Sequence, residues 1–386
     1  MQAGFVFHAT KSVILEAGAV ARLGAIVKEQ VGQTVLVVTD PGIAAAGLLS
    51  PVVASLRVVG VAAYIFQDVT ADPSVDVVLA AAEFGRQHAV DGVIGLGGGS
   101  SMDVAKLVAL LVGGNERLDD IYGVGIAKGH RLPLIQIPTT AGTGSEVTPV
   151  SIVTVGAEEK RGVVAPQLLP DIALLDPELT LGLPRAVTAA TGIDAMVHAI
   201  EAFTSKSANN NPISKLFARE ALRLLSINLE IVITDGHNLA ARSDMLFGSM
   251  LAGQAFANSP VAAVHALAYP IGGIYGIAHG VSNAVVLPHV MAFNAPACLD
   301  AYGVLAGDAF PDLAKLDVAL RVERFIDRMN SLIRSVGLPS SLRDLGIPED
   351  ALPRMASEAM KQTRLLGNNA RNVSEQDALA IYRAAW

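Results

Sequence analysis

The chain is poor in cysteine and in charged residues. Its 386 residues include one cysteine, Cys298, which excludes an internal disulfide framework and fits a cytoplasmic protein in a reducing environment. We interpret Cys298 as a packing residue rather than a catalytic thiol. Charged side chains make up only 17% of the chain and the net charge is −8, without basic runs, so nothing in the sequence indicates a nucleic-acid partner.

A long stretch from Met245 to Leu299 contains no Asp, Glu, Lys or Arg. A membrane-spanning helix needs about 20 continuous apolar residues. This stretch is interrupted by Pro260, Pro270 and Pro288, so we interpret it as buried helices that surround a site, and no membrane partner is expected. The amino-terminal residues lack a basic segment followed by an apolar run, so a secretory signal is not expected either.

The hydrophobic pattern divides the chain into two predicted domains. Residues 1–184 alternate between short apolar runs and amphipathic stretches, which predicts an α/β domain with a mostly parallel, Rossmann-like sheet. The expected strands are 34–39, 62–67, 92–96, 133–137 and 172–175, with a hairpin over 152–164 that turns at Gly156, Ala157, Glu158 and Glu159. The expected helices between them are 19–31, 75–88 and 101–112.

Residues 185–386 carry helical patterns and no convincing strand, which predicts an all-α domain. The expected helices are about 185–204, 212–231, 238–258, 260–270, 279–293, 312–336, 349–365 and 374–385. Gly272 and Gly273 are expected to form a turn between two of them. Ser374 and Asp377 have the spacing of a capping box for the last helix.

A glycine-rich loop lies between an apolar strand and a helical pattern in the first half. Gly97, Gly98, Gly99 and Ser100 would let the backbone approach a phosphate closely, next to the free N–H groups of a helix start. The spacing differs from the usual Rossmann fingerprint, because Ser100 stands where the third glycine is expected. A tight strand-to-helix turn is the alternative, but three consecutive glycines favour a dinucleotide diphosphate.

Two further features bear on the cofactor. Asp40 ends the predicted strand 34–39, where a carboxylate could accept a hydrogen bond from a ribose hydroxyl and would repel a 2′-phosphate, which favours NAD over NADP. The alternative for Asp40 is an Asp-Pro-Gly turn. The polar loop 138–146 offers hydroxyls and glycines for a diphosphate or a nicotinamide amide, although such a loop alone is a weak signal.

Four residues in the second half have the chemistry of metal ligands. Asp194 and His198 are four apart on a predicted helix, so their side chains share one face, and His265 and His279 follow in the apolar stretch. One carboxylate and three imidazoles suit Fe²⁺ or Zn²⁺. For each histidine alone, a hydrogen-bonded core residue is the alternative. A metal site together with a dinucleotide loop predicts hydride transfer to or from an alcohol carbon.

These motifs together resemble those of the iron-containing (group III) alcohol dehydrogenase family, within the dehydroquinate synthase-like superfamily. Residues 97–106 resemble its GGGSxxDxAK loop, and residues 138–148 resemble its PTTAGTGSEVT segment. Residues 192–201 are similar to its metal-binding helix, and residues 279–290 are similar to its closing His-Gly motif. The motifs occur in the family's order and spacing. Glycerol dehydrogenase and dehydroquinate synthase share the wider fold, but the details fit the alcohol dehydrogenase branch better.

The resemblance implies an NAD-dependent enzyme that interconverts small alcohols and their aldehydes or ketones. It implies one divalent metal, with Fe²⁺ expected and Zn²⁺ as the alternative, held by Asp194, His198, His265 and His279. The implied cofactor contacts are Asp40, Gly97, Gly98, Gly99, Ser100, Asp103, Thr139, Thr140, Thr143 and Lys160. It also implies a homodimer or a higher homo-oligomer, in which residues 5–7 could add as an edge strand to a partner.

Tyr269 departs from the family pattern. The family usually has a second histidine four residues after His265, often treated as part of a proton relay, and this chain has Tyr269 there. A tyrosine hydroxyl, with an unperturbed pKa of about 10, is a reluctant base at neutral pH. Tyr269 could shape the substrate pocket, bond the substrate or relay a proton through water. The hydroxyacid–oxoacid transhydrogenase branch resembles this pattern, so a hydroxyacid dehydrogenase or a transhydrogenase with retained NAD is the alternative function.

Overall fold

The computed structural model describes residues 4–156 and 159–386. The chain forms two compact units, His8–Gly182 and Leu183–Trp386, and residues 4–7 belong with the second. Hydrogen bonds attach this segment to the second unit, because the side-chain amide of Asn209 accepts from the Val6 N–H and donates to the Val6 carbonyl.

The first unit is built on a parallel sheet, as predicted. Its strands in the described residues are β1 (Ser12–Leu15), β2 (Thr34–Val38), β3 (Ala62–Phe66), β4 (Gly92–Gly97), β5 (Gly123–Val124), β6 (Leu134–Pro138), β7 (Val150–Val155), β8 (Glu159–Val164) and β9 (Ile172–Leu175). Six of them form the main sheet in the order β1-β9-β6-β4-β2-β3, with every pair parallel. Because β4 lies near the middle of the sheet, the glycine loop that follows it lies near the middle of the row of carboxyl-terminal strand ends.

A smaller three-stranded sheet has the order β5-β8-β7, and β7 and β8 form the predicted hairpin. Two residues of its expected turn, Ala157 and Glu158, lie outside the described residues.

The helices of the first unit cover both faces of the main sheet. They are α1 (Leu23–Gln30), α2 (Pro41–Ala45), α3 (Leu49–Val58), α4 (Val75–Gln87) and α5 (Gly99–Gly113). Successive strand residues point to opposite faces. On β2, Val35 and Val37 therefore join the core beneath α1 and α3, and Leu36 and Val38 join the core beneath α4 and α5. This arrangement explains why the strand is apolar throughout.

Asp171 links the beginnings of two neighbouring strands. It precedes β9 and accepts a hydrogen bond of 2.9 Å from the backbone N–H of Leu134, the first residue of β6. Burial by itself raises the pKa of this carboxyl, but hydrogen bonds from Arg131 and Lys11 hold the pKa of Asp171 at about 2. Asp171 is therefore ionised at neutral pH, and its carboxylate accepts hydrogen bonds from Arg131, Lys11 and the Leu134 N–H.

The second unit is helical in its described residues, as predicted. Its helices are α6 (Arg185–Thr204), α7 (Pro212–Thr234), α8 (Leu239–Asn258), α9 (Ala263–Tyr275), α10 (His279–Ala309), α11 (Val318–Ser335), α12 (Leu352–Ala359), α13 (Thr363–Leu366) and α14 (Glu375–Ala385). The expected turn at Gly272 and Gly273 is wrong, because α9 continues through both glycines to Tyr275. The capping box of Ser374 and Asp377 is present at the start of α14.

Helix α10 passes a length and composition test for a membrane span among the described residues, with a mean hydropathy of 1.3 in its most apolar window. Half of that window is buried inside the protein, and Pro288 and Pro296 lie within the helix. A partly buried core helix passes the same test, so this result is weak evidence that α10 spans a membrane.

Candidate functional site

Helix α6 presents a row of polar side chains on one buried face. Asp194, His198 and Glu201 follow one another at helical spacing, and each is at most 5% exposed in an otherwise apolar helix. Buried charged groups need partners, so such a row indicates a site.

The other predicted ligands come to this row from α9 and α10. Ligand atoms of Asp194, His198 and His265 all lie within 4.8 Å of one another. His279, the first residue of α10, places its Nε2 3.7 Å from Asp194 Oδ1, and 42% of its side chain is exposed. The structure thus brings all four predicted residues together, with His279 on the open side of the cluster.

The spacing of these donors fits a metal ion. Two ligands that each lie about 2.1 Å from a tetrahedral ion are about 3.4 Å apart. The shortest distances from the Asp194 carboxylate to the three imidazoles are 3.7 to 4.0 Å, so small side-chain adjustments would bring the donors to a shared ion. Burial by itself raises the pKa of Asp194, but the facing imidazoles and Asn283 lower it below its ordinary value.

Glu201 fixes the orientation of His265, a role that we did not predict. Its Oε2 accepts from His265 Nδ1 at 2.7 Å and from the Ala262 N–H at 3.0 Å, and its Oε1 accepts from the Val264 N–H at 2.7 Å. Burial by itself lowers the pKa of His265, but this hydrogen bond and charge raise it overall. With its proton on Nδ1, His265 presents the Nε2 lone pair to the cluster.

Gly280 allows α10 to approach α6 closely. A methyl group at this position would overlap the carbonyl oxygen of Ala190. Because His279 is the preceding residue, this close packing sets its distance from Asp194.

Tyr269 lies on α9, one turn after His265. Its ring centroid is 6.2 Å from that of His279, and it is partly buried. The phenol therefore lies beside His279, the most exposed of the four candidate metal ligands.

The predicted cofactor loops meet at the carboxyl ends of β4 and β6. Gly97 has φ 145°, a left-handed value that favours glycine, and its carbonyl accepts from the Thr139 N–H at 3.0 Å. A methyl on Gly99 would lie 3.0 Å from Thr143, whereas one on Gly98 would have no neighbour closer than 3.8 Å in the described structure. Gly98 therefore leaves open space at the start of α5, where Ser100 lies in the first turn.

Buried hydroxyls around these loops lack protein partners. Among the described residues, the Oγ1 atoms of Thr39, Thr139 and Thr140 are buried without a hydrogen bond. A buried polar atom without a protein partner is costly, which favours a bound polar group at these three hydroxyls. The residues present thus fit a phosphate-bearing cofactor.

Asp40 joins this region from β2. Its Oδ1 accepts from the Ile43 N–H at 3.0 Å and caps α2, so Asp40, Pro41 and Gly42 form a helix start, and the predicted ribose contact stays a prediction. Its Oδ2 accepts from Ser101 Oγ at 3.0 Å, which brings the carboxylate to the first turn of α5.

Asp103 and Lys106 tie α5 to the second loop, which we did not foresee for Lys106. Asp103 accepts from Ser145 Oγ at 2.6 Å and from the Ile152 N–H at 2.9 Å. Lys106 is fully buried and donates to Ser145 Oγ at 2.7 Å and to Thr148 Oγ1 at 3.1 Å. Burial raises the pKa of Asp103 and lowers that of Lys106. These hydrogen bonds link Asp103 to the second loop, and its predicted contact with the cofactor stays a prediction.

Lys160 and Glu146 are two further charged groups of the first unit. Lys160, on β8, places its Nζ 2.6 Å from Asp72, a residue held at φ 51°. Glu146 is buried, and burial raises its pKa to about 7. The partner of Lys160 could not be predicted, because Asp72 is 88 positions away.

Family models cover nearly the whole chain. The model described as iron-containing alcohol dehydrogenase matches residues 10–177. The model described as Fe-containing alcohol dehydrogenase family, C-terminal, matches residues 188–386. Long-chain-alcohol dehydrogenase 1 of Geobacillus thermodenitrificans is 40% identical over 377 residues, which are 96% of this chain and 93% of that protein.

Solved structures agree with these matches. A crystal structure of 1,3-propanediol oxidoreductase superposes with a TM-score of 0.95 at 33% identity, over 99% of this chain and 100% of that one. A sulfoacetaldehyde reductase from Bifidobacterium kashiwanohense, solved in complex with NAD⁺, gives a TM-score of 0.89 at 28% identity, over 100% and 99% of the two chains.

Proposed function

The chain belongs to the iron-containing alcohol dehydrogenase family, and from this premise we propose that it transfers a hydride between a primary or secondary alcohol and NAD, using one divalent metal. The corresponding aldehyde or ketone is the substrate of the reverse reaction. The observation that carries this proposal is the convergence of Asp194, His198 and His265, with His279 beside them, on one point of the helical unit.

The metal-binding residues have separable tasks. When bound, the metal supplies Lewis acidity toward the substrate oxygen, and NAD supplies the hydride acceptor. Asp194 supplies the negative charge that offsets the cation, and Glu201 keeps the Nε2 of His265 directed at it. His279 is the exposed ligand, so the substrate oxygen enters on its side. Fe²⁺ is our first choice of metal, and Zn²⁺ also suits three imidazoles and a carboxylate.

The two cofactor loops of the first unit bind NAD and orient it. Gly97, Gly98, Gly99 and Ser100 offer the diphosphate a close backbone approach and the start of α5. Thr139, Thr140 and Thr143 supply hydroxyls from the second loop, which Asp103 holds in place. Asp40 accepts a hydrogen bond from a ribose hydroxyl and repels the 2′-phosphate of NADP, and Lys160 attracts an anionic group of the cofactor.

Tyr269 is proposed to hydrogen-bond the substrate next to His279 rather than to act as the general base. The contact between the two rings supports this placement. If Tyr269 instead orients a carboxylated substrate, the enzyme is a hydroxyacid dehydrogenase or a transhydrogenase that retains NAD.

We further propose a cytoplasmic location and a homodimer or larger homo-oligomer, with residues 5–7 adding to a partner strand. The buried free thiol of Cys298 supports the location. Sedimentation velocity of the purified protein tests the assembly, and a monomer at micromolar concentration would contradict it.

The decisive experiment follows NADH absorbance with alcohols and hydroxyacids, using NAD⁺ or NADP⁺, after loading with Fe²⁺ or Zn²⁺. His265→Ala is expected to lose metal and nearly all activity while it stays folded. His237→Ala, which removes an exposed histidine of the same unit, is the control. Undiminished turnover by a metal-free His265→Ala would refute the proposal. Oxidation of a hydroxyacid only when an oxoacid is added, without free NADH, would favour the transhydrogenase.

A further inference from the structure

Tyr382, on the last helix α14, contacts the backbone of α9. Its side chain is fully buried, and its hydroxyl donates to the carbonyl of Leu267 at 2.6 Å, across 115 positions of the chain. Burial raises the pKa of Tyr382, so the hydroxyl keeps its proton and remains a donor at neutral pH. Leu267 lies between His265 and Tyr269, so this hydrogen bond joins α14 to the helix that carries both residues.

Helix α9 is weakened at the turn that Tyr382 contacts. Pro270 lies inside the helix, where it has no N–H to donate to the Ala266 carbonyl and its ring crowds that carbonyl. The next turn contains two glycines, which lower the helix preference further. The turn from Ala266 to Pro270 therefore depends on contacts from outside α9, and the hydroxyl of Tyr382 supplies one at Leu267.

The start of α9 is anchored independently of Tyr382. Glu201 accepts hydrogen bonds from two backbone N–H groups at the start of the helix and from His265 Nδ1. His265 is thus held ahead of the weakened turn, whereas Tyr269 lies within it, directly before Pro270. Loss of the Tyr382 hydroxyl would therefore loosen Tyr269 and leave His265 in place.

The position of Tyr269 matters because its ring centroid is 6.2 Å from that of His279. Hydrogen bonds weaken steeply when their distance or angle changes, so a small movement of the turn would spoil a bond from the phenol to a substrate beside His279.

We propose that Tyr382 is a positioning residue for Tyr269, whose hydroxyl holds the proline-interrupted turn of α9 so that the Tyr269 phenol meets the substrate beside His279. The inference rests on the proposed function, because it requires that Tyr269 hydrogen-bonds the substrate. Tyr382 acts only through α9, since its own side chain is fully buried.

The test is a double-mutant cycle of Tyr382→Phe and Tyr269→Phe in the metal-loaded protein. Tyr382→Phe keeps the buried ring and removes only the hydroxyl, so the protein is expected to fold, and thermal unfolding checks this. Ser226→Ala is the matched control, because the Ser226 hydroxyl also donates to a carbonyl of another helix, that of Ala309, at the opposite end of α10 from His279. The assays give kcat and KM for 1-propanol, 1-hexanol and lactate with NAD⁺, and chelator competition gives the Zn²⁺ dissociation constant.

We expect Tyr269→Phe to raise KM about 3- to 10-fold through loss of one hydrogen bond to the substrate, with kcat within about twofold of the wild type. Tyr382→Phe should raise KM about 2- to 5-fold in the same way, and its Zn²⁺ dissociation constant should stay at the wild-type value. The double variant should match Tyr269→Phe, because no phenol is left to position. Ser226→Ala should keep the wild-type kcat and KM.

An unchanged KM in Tyr382→Phe, beside a raised KM in Tyr269→Phe, would overturn this inference alone. Weaker Zn²⁺ binding in Tyr382→Phe, or a KM effect that multiplies in full with that of Tyr269→Phe, would also overturn it, since Tyr382 would then support α9 as a whole. An unchanged KM in Tyr269→Phe would remove the role of Tyr269 and this inference with it. If the wild-type protein oxidises none of the three substrates with NAD⁺, the proposed function itself fails.

Discussion

Replacement of Glu201 by glutamine tests whether the orientation of His265 controls the metal site. The substitution keeps the shape of the side chain but replaces one oxygen by an NH₂ group. Glu201 accepts three hydrogen bonds, from the Ala262 and Val264 N–H groups and from His265 Nδ1. A glutamine oxygen can replace only one carboxylate oxygen, so at least one donor faces the NH₂ group.

Two outcomes are possible for the glutamine, and both weaken the site. If its NH₂ faces the Val264 N–H, a buried donor is left unpaired at a cost of about 1–3 kcal/mol. If it faces His265, the imidazole must move its proton from Nδ1 to Nε2, which removes the lone pair from the metal. Loss of such an outer partner typically costs about 10- to 100-fold in metal affinity. We therefore expect Glu201→Gln to lose metal affinity by that factor and to unfold at lower temperature.

The assay is a titration with Zn²⁺ against a chelator, together with thermal unfolding of the metal-free protein. Glu146→Gln is the control, because Glu146 is an equally buried glutamate in the other unit and is expected to leave metal affinity unchanged. Wild-type Zn²⁺ affinity in Glu201→Gln would show that the carboxylate does not orient His265 and that the reasoning is mistaken.

Three other substitutions test separate parts of the structure. Gly280→Ala should push α10 away from α6, which lowers the free energy of unfolding in urea by about 1–3 kcal/mol and weakens metal binding. Gly273→Ala is the control, because its methyl would lie in open space in the described structure, and it should not lower the free energy of unfolding. Asp72→Asn should release Lys160 and lower the NADH dissociation constant by up to about fivefold, with a steeper salt dependence; an unchanged constant would contradict that role. Asp171→Asn should cost up to about 2 kcal/mol at pH 7, because a carboxyl whose pKa is lowered in the folded state stabilises above its unfolded pKa. That difference should disappear as the pH falls from about 4 to 2, and unfolding curves at pH 7 and pH 3 would show a constant difference if the assignment is wrong.

The central strands were predictable from the sequence because they are apolar on both faces. Strand β1 was missed, since it is a four-residue edge strand whose side chains are mostly exposed. Helix α3 was missed as well, because Pro51 interrupts a weak helical pattern, and proline is tolerated there in the first turn. Both errors concern short elements whose stability comes from neighbours rather than from their own pattern.

The wrong turn at Gly272 and Gly273 has a different cause. Two glycines cost a helix about 1 kcal/mol each relative to alanine, so the local preference favours a turn. Helix α9 nevertheless continues through them because its buried residues, among them Leu267 and Ile271, pack in the helical unit. Tertiary packing overrides the local preference here.

The candidate site was also predicted only in part. The four candidate metal ligands were found from residue type, helical spacing and the resemblance. The contacts of Glu201 with His265 and of Asn283 with Asp194 were not predicted, because these partners lie 64 and 89 positions apart. The spacing of Glu201 from Asp194 places both on the same helical face, but the role of Glu201 can be assigned only when the position of His265 is known.

The four candidate metal ligands lie on α6, α9 and α10, and the distance along the chain between α6 and the other two helices has a consequence for the protein in a cell. An ion shared by α6, α9 and α10 would link α6 to the other two helices across the long segment that holds α7 and α8, and its binding energy would add to the stability of this unit. A shortage of metal would then shorten the protein's lifetime as well as abolish its activity, because proteases cleave locally unfolded segments first.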